Sequence, residues 1–177
     1  MEYSCIVLSG LSGSGKTTLG LAYAKKWDYT FIDGDSFFKK EKPKVVLSNN
    51  ILASNWDDEE AIDWDVLNKS VREQLKHNHV VLATFMPRID LFTFRVFKHI
   101  RLSMGYDEEE KCILARRKSK HLNTREKIMR DELMVREYVY PKYLKMLKYP
   151  TDGVIEVFDG DRRKSVERLV EILDKYL

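Results

Sequence analysis

The segment Gly10-Leu11-Ser12-Gly13-Ser14-Gly15-Lys16-Thr17 fills every fixed position of the pattern G-x-x-x-x-G-K-[ST]. Few sequence features constrain a fold as tightly, because the pattern works only between a strand and a helix. Its glycines let backbone N–H groups close around phosphates, and the helix N-terminus adds a partial positive charge. Both flanks meet that requirement. Ser4-Cys5-Ile6-Val7-Leu8 is short, apolar and rich in β-branched residues, as a buried parallel strand should be. From Thr17 to Lys26 good helix formers carry Leu19, Ala22 and Tyr23 on roughly one face. The segment therefore predicts a nucleoside triphosphate site built from Gly10, Ser12, Gly13, Ser14, Gly15, Lys16, Thr17 and Thr18. ATP and Mg²⁺ are the expected cofactors, with Lys16 reaching the β- and γ-phosphates and the Thr17 hydroxyl on the metal.

With 177 residues the chain is expected to form one domain over 1–177, large enough for a single core and too small for a motor. A net charge of +3 gives no argument for a nucleic-acid partner. Cys5 and Cys112 lack metal-like or paired spacing and read as reduced core residues. No apolar run approaches the roughly 18 residues of a membrane span, and no secretory leader opens the chain. The expectation is a cytoplasmic monomer or homodimer acting on a small molecule, without membrane or nucleic acid.

Strands are expected at 29–32, 80–85, 99–103 and 154–158 besides the one before the loop. Helices are expected at 63–76, with Asp63 as N-cap, from Asp107 onward, and at 164–176. This alternation predicts an α/β, three-layer P-loop NTPase fold, with a five-stranded parallel sheet, helices on both faces and a helical lid. In such sheets ligands sit beyond the carboxyl ends of the strands. The second strand ends in Asp33-Gly34-Asp35-Ser36-Phe37-Phe38, where a phosphoryl-transfer enzyme needs a carboxylate to orient the acceptor hydroxyl and take its proton. Asp35 is the candidate, also assigned to the metal side with Thr17. Asp33 is its understudy, and an Asp-Gly turn is the plainer reading.

These residues, with Asn55-Trp56-Asp57, Trp64-Asp65 and Tyr140-Pro141-Lys142-Tyr143-Leu144-Lys145, resemble the uridine kinase and nicotinamide riboside kinase family. The resemblance spans most of the chain. It implies a nucleoside acceptor region at about 36–76 and Asp35 as the catalytic aspartate. It further implies that Trp64 stacks the base and Asp65 binds the ribose, with Asp33 and Phe37 beside the acceptor. Without the resemblance, Trp64 reads as a core staple and Asp65 as a helix-dipole partner. One departure stands out. The family carries an acid after the third strand, where this chain has Val81-Leu82-Ala83-Thr84-Phe85-Met86-Pro87. Thr84, Asp33 or Asp90 would have to serve instead.

Between Lys111 and Arg130 eight basic residues face one acid, Glu126, which marks a lid at about 111–137 closing over phosphates. Arg116 and Arg117 resemble the family's paired lid arginines. Lys120 stands where a further arginine is usual and cannot make a planar two-pronged contact. Two other readings remain open. A gluconate-type carbohydrate kinase would share the loop and the F-x-D-G-D strand end, but would need cations and no stacking aromatic in its acceptor pocket. A catalytically weakened nucleotide-binding regulatory protein would follow from Ala83 and Thr84.

Overall fold

The computed structural model describes residues 3–85 and 87–177; Met86, in the segment that lacks the family's acid, lies outside them. The chain runs β1 (Cys5–Ser9), α1 (Lys16–Trp27), β2 (Thr30–Asp33), β3 (Lys44–Val46), β4 (Leu52–Ser54), α2 (Trp64–Gln74), β5 (Val80–Thr84) and β6 (Val96–Ser103). It continues through α3 (Glu108–Ser119), α4 (Arg125–Met134), α5 (Tyr140–Met146), β7 (Gly153–Glu156), β8 (Phe158–Asp159), β9 (Arg162–Arg163) and α6 (Val166–Asp174). Five strands form a parallel sheet in the order β2-β5-β1-β6-β7. Every residue of β1 and β5 is buried, as expected for central strands covered on both faces, and this is why their sequences are continuous apolar runs.

The expected α/β sheet is present with all five strands. Phe158 leaves it earlier than expected and pairs with Arg163 in the small β8–β9 ribbon. Asp63 does cap α2, its Oδ1 accepting from Val66 N at 3.1 Å. The β3–β4 hairpin has no counterpart among the expected elements. Its strands are three residues each, with one polar residue apiece, too short to show a period.

Beyond α3 the chain turns at His121, which adopts φ 49°, and α4, a π-helical turn over Val135–Val139, and α5 then follow without a break. Pro141 accounts for the wide turn: lacking an N–H and crowding the carbonyl one turn back, it is accommodated by loosening the helix before it. No helix among the described residues is long and apolar enough to cross a membrane.

Candidate active site

The loop after β1 packs directly beneath α3. Gly13 sits at φ +88°, and a Cβ there would lie 2.3 Å from the Ala115 Cβ, so only glycine lets the lid helix approach the loop. Lys16 arches over the loop, its Nζ donating to Leu11 O at 2.9 Å. Burial lowers its pKa, with the Asp35 charge the strongest opposing influence. Ser14 Oγ is buried in the loop without a hydrogen-bond partner.

At the end of β2, Asp33 caps a short 3₁₀ turn over Gly34–Phe37: its Oδ1 accepts from Asp35 N at 3.0 Å, and its Oδ2 accepts from the Thr17 hydroxyl at 3.4 Å. Gly34 is required because a Cβ would stand 2.8 Å from Ala83 O on β5. The carboxylate beside Thr17 is thus Asp33 rather than Asp35. Asp35, carried one turn further, lies in the wall of a neighbouring pocket. Burial raises its pKa; Lys16 works against this, while Asp33 and Asp57 add to it.

That pocket encloses about 320 Å³. Lys16, Asp35 and Ser12 come from the strand ends and loop, Phe38, Trp56, Asp57 and Ile62 from the segment leading to α2, Phe85 from just beyond β5, and Arg116, Ser119 and Lys120 from the lid. Three cations face two carboxylates. A larger concavity of about 770 Å³ lies at the opposite end of the sheet, walled by Tyr3, Tyr23, Trp27 and Phe97, and includes no phosphate-loop residue. The chemistry therefore belongs to the smaller pocket.

Arg116 is the best-held charge in the site. Only 5 % exposed, it donates from Nη1 to Asp57 at 3.0 Å, and from Nε and Nη2 to the two oxygens of Asp131 at 3.1 Å each. Burial opposes its charge, but Asp57 and then Asp131 outweigh burial and raise its pKa. Lys120 joins Asp131 at 2.6 Å. Three of five guanidinium N–H groups are used, so donors remain for a ligand.

Several candidates fall elsewhere. Trp64 and Asp65 do not line the pocket: the Trp64 indole donates to Glu59 O at 2.8 Å and packs 6.0 Å from the Phe92 ring, while Asp65 is exposed on α2. Phe37 packs against the core, and its neighbour Phe38 reaches the pocket, edge-on to Trp56 at 5.2 Å. Arg117 is exposed and absent from the pocket wall, since α3 turns it about 100° from Arg116. Gly10, Gly15 and Thr18 keep to the loop and helix start. Asp90 is taken by Arg88 at 2.6 Å. Trp56 and Asp57, which carry the resemblance without an expected site role, and Asp131 also stand at the site. A signal for the first two existed, because Trp56-Asp57 precedes Trp64-Asp65 by eight residues in the same segment, and it is the earlier of these that reaches the site.

The shikimate kinase family model matches residues 12–85, which include the phosphate loop from Ser12 onward, Asp33, Asp35 and the part of the pocket wall contributed by Phe38 to Phe85. A probable gluconokinase from Xenopus tropicalis is 34% identical over 80 residues, which is 44% of this chain and 40% of that protein's length. A sugar kinase from Janibacter sp. HTCC2649 superposes with a TM-score of 0.61 at 17% identity, covering 98% of this chain and 94% of that one. A shikimate kinase from Bacteroides thetaiotaomicron gives 0.55 at 18%, covering 97% of both chains. The fold is that of a small P-loop kinase. A gluconokinase from Sinorhizobium meliloti 1021 also shares it, with a TM-score of 0.51 at 17% identity over 97% of this chain and 96% of that one. The small P-loop kinase assignment is supported; the resemblance to uridine and nicotinamide riboside kinases finds no support among these relatives.

Proposed function

We propose that the chain is an ATP- and Mg²⁺-dependent phosphotransferase whose acceptor is a small polyhydroxylated carboxylic acid of the gluconate or shikimate kind. The observation that carries this reading is the cationic side of the pocket: Arg116 and Lys120 line it together with Asp35, and although Trp56, Phe38 and Phe85 also line it, Trp64 and Asp65, the residues meant for a nucleoside, lie outside. The N–H groups of Arg116 that Asp57 and Asp131 leave unused are available to the carboxylate of an anionic acceptor. The similarity to shikimate kinases and to a gluconokinase supports the same class.

The residues suit both absent groups. Thr17 and Asp33 present hard oxygen donors, the set Mg²⁺ prefers while keeping several waters. The glycine loop with its unpartnered Ser14 hydroxyl forms a phosphate cradle. Asp33 thereby fills the role left vacant by Ala83 and Thr84. When bound, Mg²⁺ neutralises phosphate charge. Lys16 would add its charge at the transferring group, and Asp35 would hold the acceptor hydroxyl in line and take its proton. The oxygen bonds to the γ-phosphorus as the bond to the bridging oxygen breaks and ADP leaves.

The test is ADP release from MgATP across sugar acids, cyclic hydroxy acids and nucleosides. A hydroxy acid should show the highest kcat/KM, and Arg116→Lys should raise its KM more than it lowers kcat. A nucleoside as best acceptor refutes the reading and returns the assignment to the nucleoside kinases, with Trp56 as the stacking ring.

A further inference from the structure

The acceptor pocket does not end at the lid. Trp56, Arg116 and Lys120 form its far wall, and the same three residues form the near wall of a second chamber of about 380 Å³ between the β3–β4 hairpin and α4. The chamber adds Lys44 from the hairpin and Lys127 and Arg130 from α4. Its one acid among the described residues, Asp131, is already engaged by Arg116 and Lys120. Lys44, Lys127 and Arg130 thus bring three charges with no carboxylate of the chamber left to match them. A monocarboxylate would balance one of these charges, and a phosphate ester close to two.

Lys44, Lys127 and Arg130 are exposed, but the frame that carries them is held in shape. The hairpin is fastened to the π-helical turn by Tyr138, whose hydroxyl donates to Val46 O at 2.8 Å. Glu137 helps by accepting from Ser48 N at 3.0 Å. Lys44 Nζ is steadied by Ser54 Oγ at 2.7 Å. Leu47, at the hairpin end, is 2 % exposed, so the hairpin is seated in the core.

We propose that this chamber is an anion subsite for a phosphate group, and that the acceptor is an elongated molecule with its reacting hydroxyl at Asp35 and a phosphate ester between α4 and the hairpin. The second half of this statement rests on the kinase reading above; the first half does not.

Two measurements separate them. Inorganic phosphate is titrated by calorimetry into protein saturated with Mg²⁺ and a non-hydrolysable ATP analogue, which blocks the phosphate loop. A single site is expected, weakened about 10-fold by either Lys127→Ala or Arg130→Ala. Arg168→Ala, which removes one charge from the distant α6, should leave it unchanged. No site, or equal weakening by Arg168→Ala, overturns the proposal. The second measurement compares kcat/KM for sugar acids with and without a terminal phosphate, which should favour the phosphate by about 10-fold or more and lose that ratio in Lys127→Ala. A bound phosphate with no transfer to any hydroxy acid defeats the kinase reading and spares the subsite. Transfer without any preference for the phosphate, at a site that binds phosphate, defeats the elongated acceptor.

Discussion

Replacing Arg116 with methionine should cost far more stability than removing an exposed charge, and the cost should depend on pH in a definite direction. Methionine keeps much of the side-chain volume, so the loss is electrostatic. The substitution strands Asp57 and Asp131, whose side chains are 11 % and 12 % exposed. Removing one member of a buried ion pair costs about 3–5 kcal/mol, and Lys120, which stays with Asp131, places this case near about 3. For a chain of this size that corresponds to a fall in Tm of roughly 6–12 °C. In the wild type Asp131 is held below the usual carboxylate range: burial works the other way, but the Arg116 hydrogen bond and charge, joined by Lys120, outweigh it. A depressed carboxylate contributes stability above its unfolded pKa and loses it as pH falls through the folded one. Without Arg116 that contribution shrinks. Urea unfolding of both proteins should therefore show the full difference near neutral pH, narrowing as pH falls into the carboxylate range. A difference below about 1 kcal/mol, or one that does not vary with pH, would refute the argument that the network is a buried, mutually dependent charge cluster.

Asp35→Asn should lower turnover steeply, leaving a measurable residual rate, with little effect on ATP affinity, whereas Asp33→Asn should chiefly raise the Mg²⁺ concentration needed for half-maximal rate; equal effects in a magnesium titration would contradict the division between them. The kcat/KM profile should be narrowed from both sides. Activity needs ionised Asp35 and charged Lys16, so the acid limb should lie above the usual carboxylate range and the alkaline limb below the usual lysine value, and Asp35→Asn should remove the acid limb. His99 is buried between the Ser9 hydroxyl at 2.7 Å and Pro150 O at 2.8 Å, and burial lowers its pKa. Because the unfolded chain takes up this proton first, stability should fall as pH drops below about 6.5. In His99→Gln, denaturation across that range should lose this component.

The sheet and the phosphate loop are legible in the amino-acid order, because both rest on local chemistry. Fully buried parallel strands must be apolar throughout, and the glycine-lysine-threonine pattern has one structural use. The sequence also marked Asp33-Gly34-Asp35 as a strand-end pair. What it left open was the division of labour within that pair. The Asp33 cap and the close passage of Gly34 beside Ala83 turn one carboxylate toward Thr17 and leave the other in the pocket wall. The choice between Trp56-Asp57 and Trp64-Asp65 was likewise tertiary. Trp64 is claimed by Glu59 and Phe92 at the start of α2, whereas Trp56 lies in a loop folded back under the lid. Arg116 and Arg117 are neighbours in sequence, yet Asp57 and Asp131, 59 and 15 residues away, face only the first. Local patterns name the residue types that phosphate chemistry requires. Which copy of each reaches the pocket depends on long-range packing and charge pairing that no local pattern records.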